Sequence, residues 1–220
     1  MKISQIYEKY KIMPFLQEHM LRVAGVSNLI CDNFKLATDE KSIISACLLH
    51  DLGNIIKFKK NWYFKIFKKT DPETWSGLKE IKNYFIEKYG SDEHEATSAI
   101  IKEIGARDRI LYLVKSIGFS NSIKIYNSND LDLKIVAYSD HRVAPFGVTS
   151  LQERHIESRS RYTGHEESKY SLEKFDYLSS INKKIESQIF AHCNIKPEDI
   201  TEEKVRPLID KLRNFEIETQ

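Results

Sequence analysis

The stretch ACLLHDLGN, residues 46–54, ends an apolar run with a histidine and an aspartate in adjacent positions. His50 continues a helical line through Ile43 and Cys47, and Asp51 continues the apolar line beside it. A helix of a globular protein buries such lines. The doublet is therefore predicted at the end of a helix, on the face that turns toward the core.

The composition is that of a globular chain with little net charge. Of 220 residues, 41% are hydrophobic, which is enough for a substantial core. The net charge of +2 gives no global basic field for a nucleic acid or a membrane. We expect a soluble cytoplasmic protein with no membrane partner, because no run of about 18 apolar residues appears and the three cysteines form no CxxC pattern.

The spacing of apolar residues predicts an all-α fold. Glycine and proline are scarce, at 8 and 5 residues, and apolar residues recur every three to four positions. We expect helices at about 16–34, 41–51, 75–89, 92–104, 107–117, 131–143, 149–162, 168–193 and 201–214. The segments 52–72 and 118–130 are expected to be loops that contribute to a site.

Further titratable residues fall on predicted apolar stripes. His19 lies beside the apolar line of the first long helix, Asp140 shares a stripe with Val136 and Val143, and His94 is a weaker example. Burying an unpaired carboxylate is costly, so buried charges are normally paired or bound to metal. Each residue taken alone is more often a hydrogen-bonded core histidine or a surface carboxylate. Two histidines and two aspartates together favour a divalent metal site.

Three segments carry this pattern in order, and together they resemble the HD superfamily of metal-dependent phosphohydrolases. EHMLRVAGVSNLI contains His19, ISACLLHDLGN contains the doublet, and LKIVAYSDHRVAP contains Asp140. The resemblance covers about residues 16–145. It implies an all-α, HD-domain-like helical bundle.

The resemblance also implies the metal ligands, and the chain as a whole is expected to have two parts. The expected metal ligands are His19, His50, Asp51 and Asp140, with His94 as a further candidate. The ion is expected to be iron, manganese, zinc, nickel, cobalt or magnesium. We expect residues 1–165 to form the HD-type metal-binding domain and residues 166–220 a C-terminal helical extension packed on it, without evident chemistry.

The chain departs from the family pattern at two places. Members with two metals use further histidines between the doublet and the last aspartate, whereas His94 stands alone between Asp51 and Asp140. Many members have a lysine in an HD-x-x-K pattern, whereas this chain has Asn54 there, with Lys57 about one turn further on. These departures indicate one metal and an unusual phosphate site.

The family resemblance implies hydrolysis of a phosphate ester of a nucleotide or a similar small phosphorylated molecule. Asp51 is expected to be catalytic, because a ligating carboxylate keeps a second oxygen for a hydrogen bond to the attacking water. The substrate phosphate is expected to bind Arg22, Lys57 and Arg142, since cationic side chains suit phosphate oxygens.

Two other functions stay open. The chain could be a non-hydrolytic HD module that binds a nucleotide and signals to a partner. It could also bind or process RNA, since residues 57–69 interleave lysines with aromatic side chains that stack on bases. The same pattern also fits aromatic residues in the core beside solvated lysines. The arginines Arg154, Arg159 and Arg161 fit a solvated, ion-paired helix face equally well.

Overall fold

The computed structural model describes residues 1–59, 72–145, 147–164 and 168–219, and in these ranges the chain is all-α apart from one very short hairpin. The all-α prediction is thus confirmed. The helices are α1 (Ile3–Lys9), α2 (Pro14–Cys31), α3 (Glu40–Leu49), α4 (Pro72–Tyr89), α5 (Glu93–Ile104), α6 (Asp108–Ser116), α7 (Ser122–Asn127), α8 (Leu131–Asp140), α9 (Leu151–Tyr162), α10 (Leu172–Phe190) and α11 (Glu202–Leu212).

The remaining regular elements are short. The 3-10 helices span Asn54–Lys57, Phe119–Asn121 and Pro197–Asp199. Strands β1 (Val143–Ala144) and β2 (Gly147–Val148) pair antiparallel, with Val143 opposite Val148 and Ala144 opposite Gly147. This hairpin directly follows α8, so it lies beside the residue that ends that helix.

Each predicted helix is present, with ends displaced by up to four residues. Two of these displacements change the interpretation of the sequence. The helix predicted over 131–143 ends at Asp140, because Val143 enters β1, and the helix predicted over 41–51 ends at Leu49. Short helices α1 and α7 are missed, since six or seven residues carry too little periodicity to stand out. Because α7 and a 3-10 helix lie within residues 118–130, the prediction of a loop there is wrong.

Helix α3 forms the centre of the core. Every residue from Ser42 to Leu49 is buried, and the helix packs against α2, α6 and α8. Asp39 begins it by accepting a hydrogen bond from the Ser42 backbone N–H at 3.2 Å. A helix surrounded in this way holds its last residues in a fixed position, and those residues lead into the His-Asp doublet.

The last two helices pack against the same core. Helix α10 lies on α7 and α8, while α11 lies on α2. At the α2–α11 crossing Gly25 allows close approach, since a Cβ there would lie 2.7 Å from Val205 Cγ1. The division of the chain at residues 165 and 166 stays a prediction. Among the described helices, none is both long enough and apolar enough to cross a membrane.

Candidate metal centre

Three elements bring predicted ligands to one place. His19 lies in the second turn of α2, His50 is the residue that caps the C-terminus of α3, and Asp140 is the last residue of α8. Helices α3 and α8 pack against each other and against α2. The contacts among these helices therefore place the three side chains together.

The ligand atoms of these residues form a tight group. One atom each of His19, His50 and Asp140 lies within 4.8 Å of the others. Asp140 Oδ1 is 3.4 Å from His19 Nε2 and 3.5 Å from His50 Nε2. Asp51 approaches the same two nitrogens, with its Oδ2 3.7 Å from each. All four side chains predicted from the three sequence segments thus surround one small volume.

The donor set fits a divalent cation. The backbone carbonyl of Cys47 lies 2.8 Å from His50 Nδ1 and can accept its proton, which leaves the Nε2 lone pair directed at the group. His50 Nε2 is buried and makes no hydrogen bond to the described residues. Imidazole nitrogens and carboxylate oxygens are the ligands that zinc, iron, manganese and related ions accept.

The electrostatics of the group are dominated by its own members. Burial acts to lower the pKa of His50, but the Asp51 and Asp140 carboxylates outweigh it and raise that pKa to about 9. Burial acts to raise the pKa of Asp140, yet the two histidines hold it well below its ordinary value. The Asp140 carboxylate therefore stays ionised, and it favours a positive charge beside it, either a proton on a histidine or a metal ion.

The centre is closed at His50 and open at the other ligands. The His50 side chain is 4% exposed, whereas Asp51 is 20% and Asp140 26% exposed. Asp51 lies in the turn after α3, where its carbonyl accepts the Asn54 N–H at 3.0 Å. A substrate would therefore approach from the side of the two carboxylates.

Gly53 fixes the turn that follows the doublet. Its N–H donates to Thr97 Oγ1 at 2.9 Å, and a Cβ on this residue would lie 2.4 Å from the Glu93 carbonyl oxygen. The backbone thus packs directly on the first turns of α5. His94 lies in the same turn of that helix, but its side chain is 71% exposed and is not part of the ligand group of the described residues.

Arg142 has a structural position. It is 2% exposed, and its guanidinium donates to the Tyr138 hydroxyl and to the backbone carbonyls of Thr149, Pro197 and Ile200. The expectation that Arg142 binds substrate phosphate does not fit this arrangement, because its donors are taken up by protein oxygens. It joins the end of α8 to the segment before α11.

The other two expected phosphate ligands differ in exposure and in partners. Arg22 donates through Nε to Glu202 Oε1 at 2.9 Å and to Oε2 at 3.2 Å. Lys57 is exposed at the end of the 3-10 helix that follows the doublet, and Asn54 at its start is buried. Sequence reasoning missed Glu202, because nothing in the sequence links it to a residue 180 positions away.

Two basic segments, around Arg154 to Arg161 and from Lys57 to Lys69, fit more than one interpretation from sequence, and the structure describes part of them. Glu157 binds both Arg154 and Arg161, and Arg159 binds Asp176, in agreement with an ion-paired surface. Phe58 is buried, with its ring edge-on to Phe15 at 5.3 Å. The rest of the lysine and aromatic segment, from Lys60 to Lys69, lies outside the described residues.

Comparison with known proteins identifies one family. The model of the HD domain family matches residues 16–144, which is more than half of the chain. The matched range contains the described ligand group and Asp51. A search of curated proteins and a search of solved structures each returned no match.

Proposed function

The chain belongs to the HD domain family, and from this premise we propose that it is a metal-dependent phosphohydrolase of small phosphate esters, with a nucleotide as the expected substrate. The observation that carries the proposal is the convergence of His19, His50 and Asp140 within 4.8 Å, together with Asp51 at 3.7 Å from both histidine nitrogens.

The residues of the centre would divide the chemistry among them. His19, His50, Asp140 and Asp51 would hold the ion, which when bound lowers the pKa of a coordinated water and polarises a phosphoryl oxygen. Asp51 is partly exposed and has two carboxylate oxygens, so one oxygen can accept a hydrogen bond from the attacking water and take its proton. Water oxygen then bonds to phosphorus, the ester P–O bond breaks, and the leaving alcohol takes up a proton.

The substrate phosphate needs cations beside this centre. Arg22 lies three residues after His19 on α2, about 4.5 Å further along the helix axis. Lys57 lies six residues after Asp51 and is exposed. Both side chains are therefore proposed phosphate ligands. The Arg22 guanidinium would donate two hydrogen bonds to a pair of phosphate oxygens, and the Lys57 ammonium would supply a positive charge.

Turnover by the metal-loaded protein tests the proposal. The wild type is stripped of metal, reloaded with Mn²⁺, Fe²⁺, Zn²⁺, Ni²⁺, Co²⁺ or Mg²⁺, and assayed against nucleotides and generic phosphoesters. We expect turnover with at least one ion, and its loss in Asp51→Ala. Asp210→Ala is the matched control, since Asp210 is an 83% exposed aspartate on α11. Absence of turnover with every ion, or undiminished turnover in Asp51→Ala, would refute the proposal.

The same metal-loaded proteins distinguish a phosphohydrolase from the alternative function, a non-hydrolytic HD module that binds a nucleotide. A module that only binds would be stabilised thermally by a nucleotide without forming product. Retained nucleotide binding in a metal-loaded wild type that turns nothing over would favour that alternative.

We propose RNA binding as a second function, because one groove of the described surface favours it. The groove has a volume of about 500 Å³ and is lined by Phe58, Trp75 and three lysines, Lys59, Lys79 and Lys82. Phe58 is buried, so Trp75 is the ring proposed to stack on a base while the lysines contact phosphates. Salt-dependent binding of single-stranded RNA that weakens in Lys79→Gln and Lys82→Gln would support this function, and binding unaffected by both would contradict it.

A further inference from the structure

The guanidinium of Arg22 is held by a residue from the C-terminal part of the chain. Arg22 Nε lies 2.9 Å from Oε1 and 3.2 Å from Oε2 of Glu202, so both carboxylate oxygens contact the Nε–H of the guanidinium. Glu202 is the first residue of α11, whereas Arg22 lies in the middle of α2. Two segments that are distant in the sequence thus meet three residues from the metal ligand His19.

Glu202 is itself held on its other side. Its Oε2 accepts the Val148 backbone N–H at 2.9 Å, which places the carboxylate against the β1–β2 hairpin. A Cβ on Gly147 would lie 3.3 Å from that oxygen, so the hairpin approaches the carboxylate closely. The acid is therefore fixed between the hairpin that follows Asp140 and the helix that carries His19.

The packing of α11 on α2 keeps Glu202 next to Arg22. Val205, one turn after Glu202, packs against Gly25, one turn after Arg22, where a Cβ would come within 2.7 Å of its Cγ1. Arg142 binds the carbonyl of Ile200 at 3.0 Å, two residues before Glu202. The start of α11 is thus held beside Arg22 by the packing of Val205 on Gly25 and by the hydrogen bond from Arg142.

The contact could have two opposite effects on phosphate binding. Glu202 could occupy Arg22 and neutralise it, or it could orient the guanidinium and leave its outer edge available. Both carboxylate oxygens contact Nε, and the two Nη groups of Arg22 make no hydrogen bond within the described part of the chain. The Nη groups are also absent from the buried, unpartnered polar atoms. The geometry therefore favours the second effect, in which Glu202 orients the Arg22 guanidinium, because two parallel Nη–H donors remain for a pair of phosphoryl oxygens.

We propose that Glu202 is a positioning residue, which fixes the Arg22 guanidinium so that its two Nη groups bind the phosphoryl group of the substrate. The proposal rests on the proposed phosphohydrolase function. It assigns a role in the site to the C-terminal segment, in which the sequence shows no chemistry. A guanidinium with a fixed plane loses less rotamer entropy on binding phosphate than a free one.

The variants compare Glu202→Gln with Glu203→Gln in the metal-loaded full-length protein. Glu203 is the next residue on α11 and is exposed, so its substitution removes the same charge from the same helix end. We expect Glu202→Gln to raise KM and the inhibition constant of inorganic phosphate about tenfold or more, as when a charge-assisted contact is lost. The metal content and kcat should change far less, and Glu203→Gln should match wild type.

A double-mutant comparison shows whether the effect passes through Arg22. In an Arg22→Ala background, Glu202→Gln should leave KM and the phosphate inhibition constant unchanged, since the group it orients is gone. Arg22→Lys keeps the charge but loses the fork, and it should weaken phosphate binding without altering the metal content. Equal effects of Glu202→Gln in both backgrounds would overturn the proposal, as would unchanged or tighter phosphate binding in Glu202→Gln alone.

Direct binding of inorganic phosphate separates this proposal from the proposed function. If wild type turns over no ester but its calorimetric affinity for phosphate falls in Glu202→Gln and Arg22→Ala, the phosphohydrolase proposal fails and the orienting role stands. If turnover depends on Asp51 while Glu202→Gln behaves like Glu203→Gln, the orienting role fails. Absence of phosphate binding in wild type would also overturn it.

Discussion

Substituting Gly53 tests the link between α5 and the metal ligands. Gly53 has φ −85° and ψ −2°, a conformation that alanine adopts without strain, so any cost of Gly53→Ala comes from the added methyl group. That methyl would lie 2.4 Å from the Glu93 carbonyl oxygen, 2.9 Å from Ala96 Cβ and 2.9 Å from the Thr97 backbone nitrogen. Two of these atoms are backbone atoms and cannot rotate away.

The expected loss of stability follows from two opposing effects. Overpacking a closed contact costs about 1–3 kcal/mol, and replacing glycine by alanine restricts the unfolded chain by about 0.4–1 kcal/mol in the opposite direction. We expect a net loss of about 1–2 kcal/mol. Because the turn also holds Asp51 and His50, the strain should reach the ligands and weaken metal binding as well.

Urea unfolding of the metal-free protein measures the first effect, and metal titration measures the second. Gly77→Ala is the matched control: Gly77 lies within α4, and a Cβ there would meet no atom within 4 Å. An open helical glycine replaced by alanine should stabilise the protein by up to about 1 kcal/mol. The reasoning would be refuted if Gly53→Ala unfolded at the same urea concentration as wild type, or if Gly77→Ala lost as much stability.

Three further predictions concern the ligands and their supports. In the metal-free protein the His50 ring should titrate near pH 9 rather than 6.5. Its contribution to the free energy of unfolding is then complete below about pH 6.5 and is lost as the pH rises through about 9. An NMR titration of His50 with a midpoint near 6.5 would contradict this prediction. Arg142→Met should lower the free energy of unfolding by about 2 kcal/mol or more, because three carbonyl oxygens lose a buried partner, whereas Arg159→Met, at an exposed pair, should leave the urea midpoint near that of wild type. A divalent ion at about 100 times its Kd should stabilise wild type by about 2.7 kcal/mol, and His50→Ala should abolish that shift in thermal unfolding; an equal shift in both proteins would place the ion elsewhere.

The sequence predicts the ligands better than it predicts their surroundings. His19 and His50 were found because a helix of period 3.6 places them on buried lines, and this information is local. The sequence pattern predicts Asp140 partly for an incorrect reason, since it counts Val143 as a helical neighbour, whereas Val143 belongs to β1. The prediction survived because Val136, one turn earlier on α8, is buried on the same side.

The roles of the arginines could not be predicted from local pattern. Arg22 and Arg142 each follow a predicted ligand by two or three residues, and nothing nearby in the sequence distinguishes them. Arg142 donates hydrogen bonds to the backbone carbonyls of Pro197 and Ile200, and Arg22 donates to the Glu202 carboxylate. All three partners come from one C-terminal segment, whose position depends on tertiary packing that helical periodicity does not encode.

The placement of the ligands at helix ends has an electrostatic consequence of its own. Helix α3 ends just before His50, and α8 ends at Asp140. A helix C-terminus carries a partial negative charge, worth about 0.3–1 kcal/mol for a nearby cation. Two such ends therefore add to the field of the Asp51 and Asp140 carboxylates, in the direction that favours a proton on His50 or a metal ion in its place.

Metal binding near neutral pH should accordingly release a proton from His50, so that affinity rises with pH until that proton is already lost. Isothermal titration in buffers of different ionisation enthalpy measures the number released, and a value of zero at pH 7 would show that the centre holds no such proton.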